Sequence, residues 1–338
     1  MEAVTHALTS LALARAAGNR LPRFGAAMVV VSGVAADIDY LSYFGGPGAF
    51  LNYHRAALHS LLGSILMISA IAAVFWRLDR TFPKKNSTAG LQFMAAIAYC
   101  SLGAAWHLLF DLCSGEAVQL FWPFRITSSA WNFTVDFDPW IFVLILAGLL
   151  LPQLLRLVNE EIGDRGWNGG RRGARIALVI VLAYLGTRGI LRRGAAELLR
   201  SREYHGRAPL IVGAFPDSVS PFEWRGVVLT DDTIEELEVS LAPGAEFDPD
   251  RSVTHIKPEE SPALVAGESN PIARRFLEYA RFPLASVSPL DNGTRFELRD
   301  LQFAREDRNP ANISVRVDFD TSLQVKQAEY RFGILRQR

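Results

Sequence analysis

Several things are scarce in this sequence, and each scarcity excludes something. Only two cysteines occur in 338 residues, Cys100 and Cys113, both in or beside one apolar run. They fit neither a disulfide framework nor a cysteine metal motif. The formal net charge is zero, so nothing in the bulk electrostatics points to nucleic acid, and no nucleic-acid partner is expected. Internal repeats and low-complexity tracts are lacking. Glu2 and His6 stand where a secretory leader needs basic residues, and no small-residue cleavage site precedes a soluble domain, so no signal peptide is expected. Charged residues make up 21% of the chain against 50% hydrophobic, too little charge for an ordinary soluble enzyme of this length. The composition is that of a membrane protein.

Long charge-free runs carry this further. Residues 56–76 and 86–110 hold no Lys, Arg, Asp or Glu over 21 and 25 residues, enough helix for about 30 Å of hydrocarbon. Residues 139–155 add a run of 17, and 176–191 a weaker one interrupted by Arg188. Ala3–Ala14 and Phe24–Ala36 are charge-free over 12 and 13 residues, a length that suits bundle-buried or re-entrant helices as well as full spans. Residues 1–39 therefore read as a helical hairpin turning at Asn19-Arg20-Leu21-Pro22.

Beyond Arg202 the pattern changes. Short strand-like segments at 209–215, 222–230, 233–241, 294–303 and 312–319 are separated by Pro, Gly, Asp and Asn. Alternation in Thr294–Asp300 and Ser314–Asp320 suits sheets with one wet face, and 273–281 reads as a helix. The expected fold is an α-helical polytopic membrane bundle, residues 1–200, followed by a soluble α+β, mostly β, domain, residues 201–338. That second domain is long enough to bury a core of its own and contains no recognisable catalytic motif.

Charge bias orients the bundle. Basic residues gather in three connections: Arg15, Arg20 and Arg23; Arg77, Arg80, Lys84 and Lys85; and Arg156, Arg165, Arg171, Arg172 and Arg175. The intervening connections, 40–57 and 114–136, hold only Arg55 and Arg125, so the first set is expected on the cytoplasmic side. His6 opens the first helix, Asp37 and Asp39 close the second, His54 and His59 precede the third, and His107 and Asp111 close the fourth. All fall on the outward side, with Asp136 and Asp138 at the same level. His107 and Asp111, four residues apart on one helix, share a face.

Imidazole nitrogens and carboxylate oxygens suit Zn²⁺ and similar divalent ions, and four histidines with several carboxylates exceed the needs of one tetrahedral ion. The expectation is a divalent metal site, zinc for preference, with one or two ions. Such a site acidifies a bound water and clamps the attacking and leaving oxygens of an in-line displacement. Arg55 is placed to meet an anionic phosphate or to snorkel to the headgroups. Asp138 is a second catalytic candidate, or a residue favourably placed at a helix N-terminus. Ser60 and Ser114 are candidates for orienting the ligands. Trp122, Phe124, Trp131 and Trp140 read as an interfacial aromatic belt.

Thr5-His6, Ala36-Asp-Ile-Asp39, His54-Arg-Ala-Ala-Leu-His-Ser60, His107-Leu-Leu-Phe-Asp111 and Trp122-Pro-Phe124 follow one another in an order that resembles the YdjM-like family of bacterial inner-membrane metal-dependent hydrolases. The resemblance covers about residues 1–195. The matching family pieces are T-H, P-D-x-D, H-R-x-x-x-H-S and H-x-x-x-D, with Ala36 here in place of proline and Ala56 in place of glycine. The resemblance implies a multi-pass inner-membrane protein in which His6, Asp37, Asp39, His54, His59, His107 and Asp111 bind metal. More distantly the order is similar to that of zinc-dependent phospholipases C and secreted single-strand nucleases. Those carry a second His-x-x-x-Glu/Asp helix, whereas His205 and His255 here have no carboxylate four residues on. A metal-dependent hydrolase acting on a phosphoester of a membrane lipid or lipid-linked substrate is the leading expectation. The alternatives are a metal or proton conduit or sensor, and a bundle that only anchors the second domain.

Overall fold

In a computed structural model of the chain, residues 1–18, 21–83, 90–161, 169–303 and 311–333 are described. Asn19 and Arg20 of the expected hairpin turn lie outside these residues, as do Lys84, Lys85 and Arg165. Packing divides the chain into two compact units, residues 1–39, 55–190 and 218–221 in the first and 40–54, 191–217 and 222–338 in the second. The change in composition near residue 200 is thus not where the packing changes, and a short segment from each half of the chain belongs with the other unit.

The first unit is helical. Helices α1 (Ala3–Ala17) and α2 (Gly25–Ser32) lead into a 3-10 segment, Ala35–Gly45, and then α4 (Leu61–Thr81), α5 (Phe93–Cys113), α6 (Pro139–Glu161) and α7 (Gly169–Arg200) follow. Among the described residues five stretches are long and apolar enough to cross a membrane: Gly25–Gly45, Leu61–Thr81, Phe93–Cys113, Pro139–Leu157 and Gly170–Arg200. α1, of 15 residues, is not among them. The charge-free runs 56–76 and 86–110 become helices shifted toward their C-termini. α4 waits for Ser60, whose hydroxyl accepts from Gly63 N at 2.9 Å, and then runs on over Arg77, Asp79 and Arg80.

One apolar core joins Ala12 of α1, Phe110 of α5, Ile141, Ile145 and Leu149 of α6 and Val181 and Leu185 of α7. α2 and α5 approach closely where Gly103 faces Ser32 and the carbonyl of Val29, as small residues permit between membrane helices. Arg188, the charge that weakens the last apolar run, is 1% exposed. Its guanidinium donates to the carbonyls of Phe133 at 2.9 Å and Ser220 at 3.2 Å, so the charge is solvated by backbone rather than by lipid.

The second unit holds two antiparallel four-stranded meanders, β1-β2-β3-β4 and β5-β6-β7-β8. The strands are Ile211–Pro216, Glu223–Leu229, Thr233–Ser240 and Val253–Ile256, then Pro283–Leu290, Gly293–Asp300, Ile313–Phe319 and Val325–Phe332. Register in the second sheet is pinned by the cross-strand pairs Glu297–Arg316 and Arg295–Asp318, each at 2.7 Å. Its buried face, Phe296, Leu298, Val315, Val317 and Phe319, packs with Leu264 of α8 (Pro262–Ser269) and Phe276 of α9 (Pro271–Tyr279). The same core takes in Phe50 and Leu51 of α3 (Pro47–Tyr53). Tyr43 stacks on Phe332 at 4.8 Å, and Arg275 donates to Asn52 at 2.9 Å. The connection between Asp39 and Arg55, read in the sequence as a loop, is therefore partly helical and part of a core.

Candidate metal centre

Four pieces of the first unit deliver polar side chains to one place. His6 sits in the first turn of α1, which Glu2 caps by accepting from Val4 N and Thr5 N. Asp37 and Asp39 come from the 3-10 segment. His59 lies in the turn ahead of α4, and His107 and Asp111 on successive turns of α5. Asp111 is the hub. Its Oδ2 lies 2.9 Å from His107 Nε2 and 3.2 Å from His59 Nε2, and its Oδ1 lies 3.1 Å from His6 Nε2 and 2.6 Å from the Met1 amine. His6 stacks on His107 with ring centroids 3.9 Å apart. His6, His59, His107 and Asp111 are each no more than 1% exposed.

The polar groups behind the histidines fix which nitrogen faces inward. His107 Nδ1 is 3.0 Å from the carbonyl of Gly33, which can only accept, so that nitrogen carries the hydrogen. His59 Nδ1 is 2.8 Å from Asp39 Oδ2. Both rings therefore present the lone pair of Nε2 to the centre, in the carboxylate- or carbonyl-backed arrangement of metal-binding histidines. The two Nε2 atoms stand 3.1 Å apart. Two acceptors at that separation need a cation between them. A proton serves: burial opposes the charge on His59, but hydrogen bonds to Asp111 and Asp39 raise its pKa to about 9.

A metal ion serves equally well. Ligand atoms bound at about 2.0–2.1 Å in a tetrahedron stand roughly 3.3 Å apart. Two sets have all their ligand atoms within 4.8 Å of one another, His6 with His107 and Asp111, and Asp37 with His59 and His107. His6 Nδ1 and Asp37 Oδ2 are buried without a hydrogen-bond partner among the described residues, a costly state that ligand or water contacts would relieve. The donor set, its depth and these atoms fit a divalent ion.

Other candidates go elsewhere. His54 belongs with the second unit, where its ring stacks on Phe50 at 4.3 Å and meets Tyr40 edge-on at 4.9 Å. Asp138 caps α6, its Oδ1 accepting from Trp140 N at 3.0 Å and Ile141 N at 3.2 Å, while Tyr184 donates to Oδ2 at 2.9 Å. Ser114 Oγ accepts from Arg55 at 2.8 Å, whereas Ser60 serves α4. Phe124, Trp131 and Trp140 are exposed by 82%, 40% and 48%, as an interfacial belt requires.

Arg55 is 5% exposed and takes a left-handed conformation, φ 53°. Its backbone N–H donates to Asp39 at 2.9 Å. Its guanidinium lies 3.3 Å from Asp111, 3.1 Å from Glu116 and 3.5 Å from Asp136. Burial disfavours the charge, but these three carboxylates outweigh it and raise the pKa above the ordinary arginine value. Burial, then the neighbouring Glu116, raises Asp136 to about 7, although its side chain keeps 27% exposure. Glu116 escapes sequence reasoning because it matches no motif. The available signal is an acidic residue in a connection whose one base is Arg125.

Helices of spanning length around a buried His/Asp centre define a multi-pass membrane protein with a candidate metal site. The family described as YdjM inner membrane protein matches residues 1–195, more than half of the chain, and the chain belongs to that family. No curated protein and no solved structure matches it.

Proposed function

We propose that the protein is a metal-dependent hydrolase of the inner membrane that cleaves a phosphoester in a lipid or lipid-linked substrate. The observation that carries this reading is the pair of histidine Nε2 atoms 3.1 Å apart, each backed at Nδ1 and both facing Asp111. Either His6 with His107 and Asp111, or Asp37 with His59 and His107, would hold a divalent ion, since the one free lone pair of His107, on Nε2, can serve only one ion. When bound, such an ion supplies Lewis acidity toward a phosphoryl oxygen and acidifies water at neutral pH. Asp39 and Gly33 orient the rings, and Arg55 keeps Asp111, Glu116 and Asp136 together against their mutual repulsion. The distribution of basic connections supports an outward-facing centre at headgroup depth.

The conduit reading has less support. Thr9 and Ser32, two buried hydroxyls of α1 and α2, donate back to carbonyls of their own helices at 2.8 Å and 2.7 Å. The experiment is metal analysis of detergent-purified full-length protein, with turnover on phospholipids, prenyl phosphates and generic phosphoesters. Wild type is expected to hold stoichiometric zinc or manganese, and His107→Ala and Asp111→Ala to lose at least 10-fold in metal affinity together with turnover. Full metal in the double variant would remove the site. Metal without turnover on any substrate would remove the hydrolase while leaving the site.

A further inference from the structure

At the other end of the first unit lies a cavity of about 610 Å³, lined by the end of α1, the start of α2, the C-terminal part of α6 and the start of α7. It is distant from the metal centre. α1 carries His6 in its first turn and Arg15 nine residues later, about 13 Å along the axis. Arg15, Arg156 and Arg171 line the cavity with Gln153, and no carboxylate is among its described lining residues. The remaining walls are largely apolar, among them Leu11 and Phe24.

Local structure holds this arrangement open. Gly18 has φ 64°, and a Cβ added there would collide with the side chain of Arg171, so glycine is what lets Arg171 lie across the end of α1. α2 begins at Phe24 with no side-chain cap, so the positive end of its dipole lies uncapped beside the cavity. On the flank, Leu151, Leu154 and Leu155 of α6 are 55%, 56% and 51% exposed.

We propose that this cavity binds a phosphate-bearing anion, the headgroup of an anionic phospholipid whose chains lie along the exposed leucines of α6. Guanidinium groups match phosphate oxygens in planar, paired hydrogen bonds. The volume falls in the range of roughly 300–1,000 Å³ typical of ligand sites. The three arginines come from two of the basic connections that charge bias assigns to the cytoplasmic leaflet, where anionic lipid is found and basic pockets between helices recognise it. A free phosphate would satisfy the same arginines but not the leucines.

The test uses full-length protein in lipid nanodiscs and in detergent. Native mass spectrometry would count bound phosphatidylglycerol against phosphatidylcholine, and calorimetry would measure inorganic phosphate. Wild type is expected to retain phosphatidylglycerol selectively, with Arg15→Gln/Arg171→Gln about 25-fold weaker, about fivefold per basic residue. Metal content should be unchanged, since the centre is at the opposite end. Ala26→Phe, which fills the lining without altering charge, should also weaken lipid binding and stands in if the double variant misfolds. Phosphate binding without lipid selectivity would keep the anion site and overturn its lipid source. Equal lipid binding in wild type and both variants, with no phosphate binding, would overturn the proposal.

Discussion

Asp39 offers the centre no atom directly, yet it holds two of its parts. One oxygen accepts from the backbone of Arg55 and stands 2.8 Å from His59 Nδ1. Asp39→Ala removes the oxygen that faces both groups, so nothing then holds Nδ1 of His59 away from the centre. Metal affinity should fall by roughly 10- to 100-fold with the helices intact, as competition with a chelating dye would show; an unchanged affinity would free His59 from this partner. Arg55 poses the complementary case. Its removal leaves Asp111, Glu116 and Asp136 together without their cation, and Arg55→Ala should cost about 3–5 kcal/mol in denaturant unfolding. If the guanidinium served substrate phosphate alone, that variant would lose turnover and keep its stability. The i, i+4 spacing made His107 and Asp111 legible in the sequence. Glu116 and the carbonyl of Gly33 were not, because neither type nor spacing distinguishes them and only the fold brings them to the site.

At the scale of elements, the centre depends on how closely α2 approaches α5. Gly103 lies one turn before His107, and a Cβ there would collide with Ser32 Oγ and the Val29 carbonyl. Gly103→Val must therefore push α2 away, moving Gly33 and its hydrogen bond to His107 Nδ1. We expect a destabilised bundle and, in the protein that still folds, metal affinity reduced at least 10-fold, although residue 103 touches no ligand. Gly103→Ala should show the same effect in smaller measure, and wild-type affinity in both would mean that the α2–α5 distance does not set the ring. Long apolar runs revealed α4 to α7 because every residue facing lipid must be apolar. The strands were partly legible: β6 and β7 alternate and bury alternate residues, whereas β8 at the sheet edge is exposed over its first half and β4 has only four residues. α3 gave no signal, since seven residues with two buried apolar side chains resemble an ordinary loop.

For the whole molecule, the open question is the side of the membrane on which the second unit lies. α7 is one helix of 32 residues, about 48 Å, which is ample to cross the bilayer and continue beyond it. Counting from the basic connection after α6, α7 should run outward and carry the chain after Arg200 to the side of the His/Asp cluster. The basic residues that follow its apolar part, Arg192, Arg193, Arg200 and Arg202, argue for retention inside. Arg188 no longer adds to that argument, because it is buried against carbonyls and not available to an interface. Earlier and more apolar helices dominate orientation, so the outward placement is the expected one. A reporter active only outside the cytoplasm, fused after Arg338, should give signal, and one active only inside should be silent. Signal solely from the inside reporter would place the second unit in the cytoplasm and show that the apolar part of α7 does not cross the bilayer.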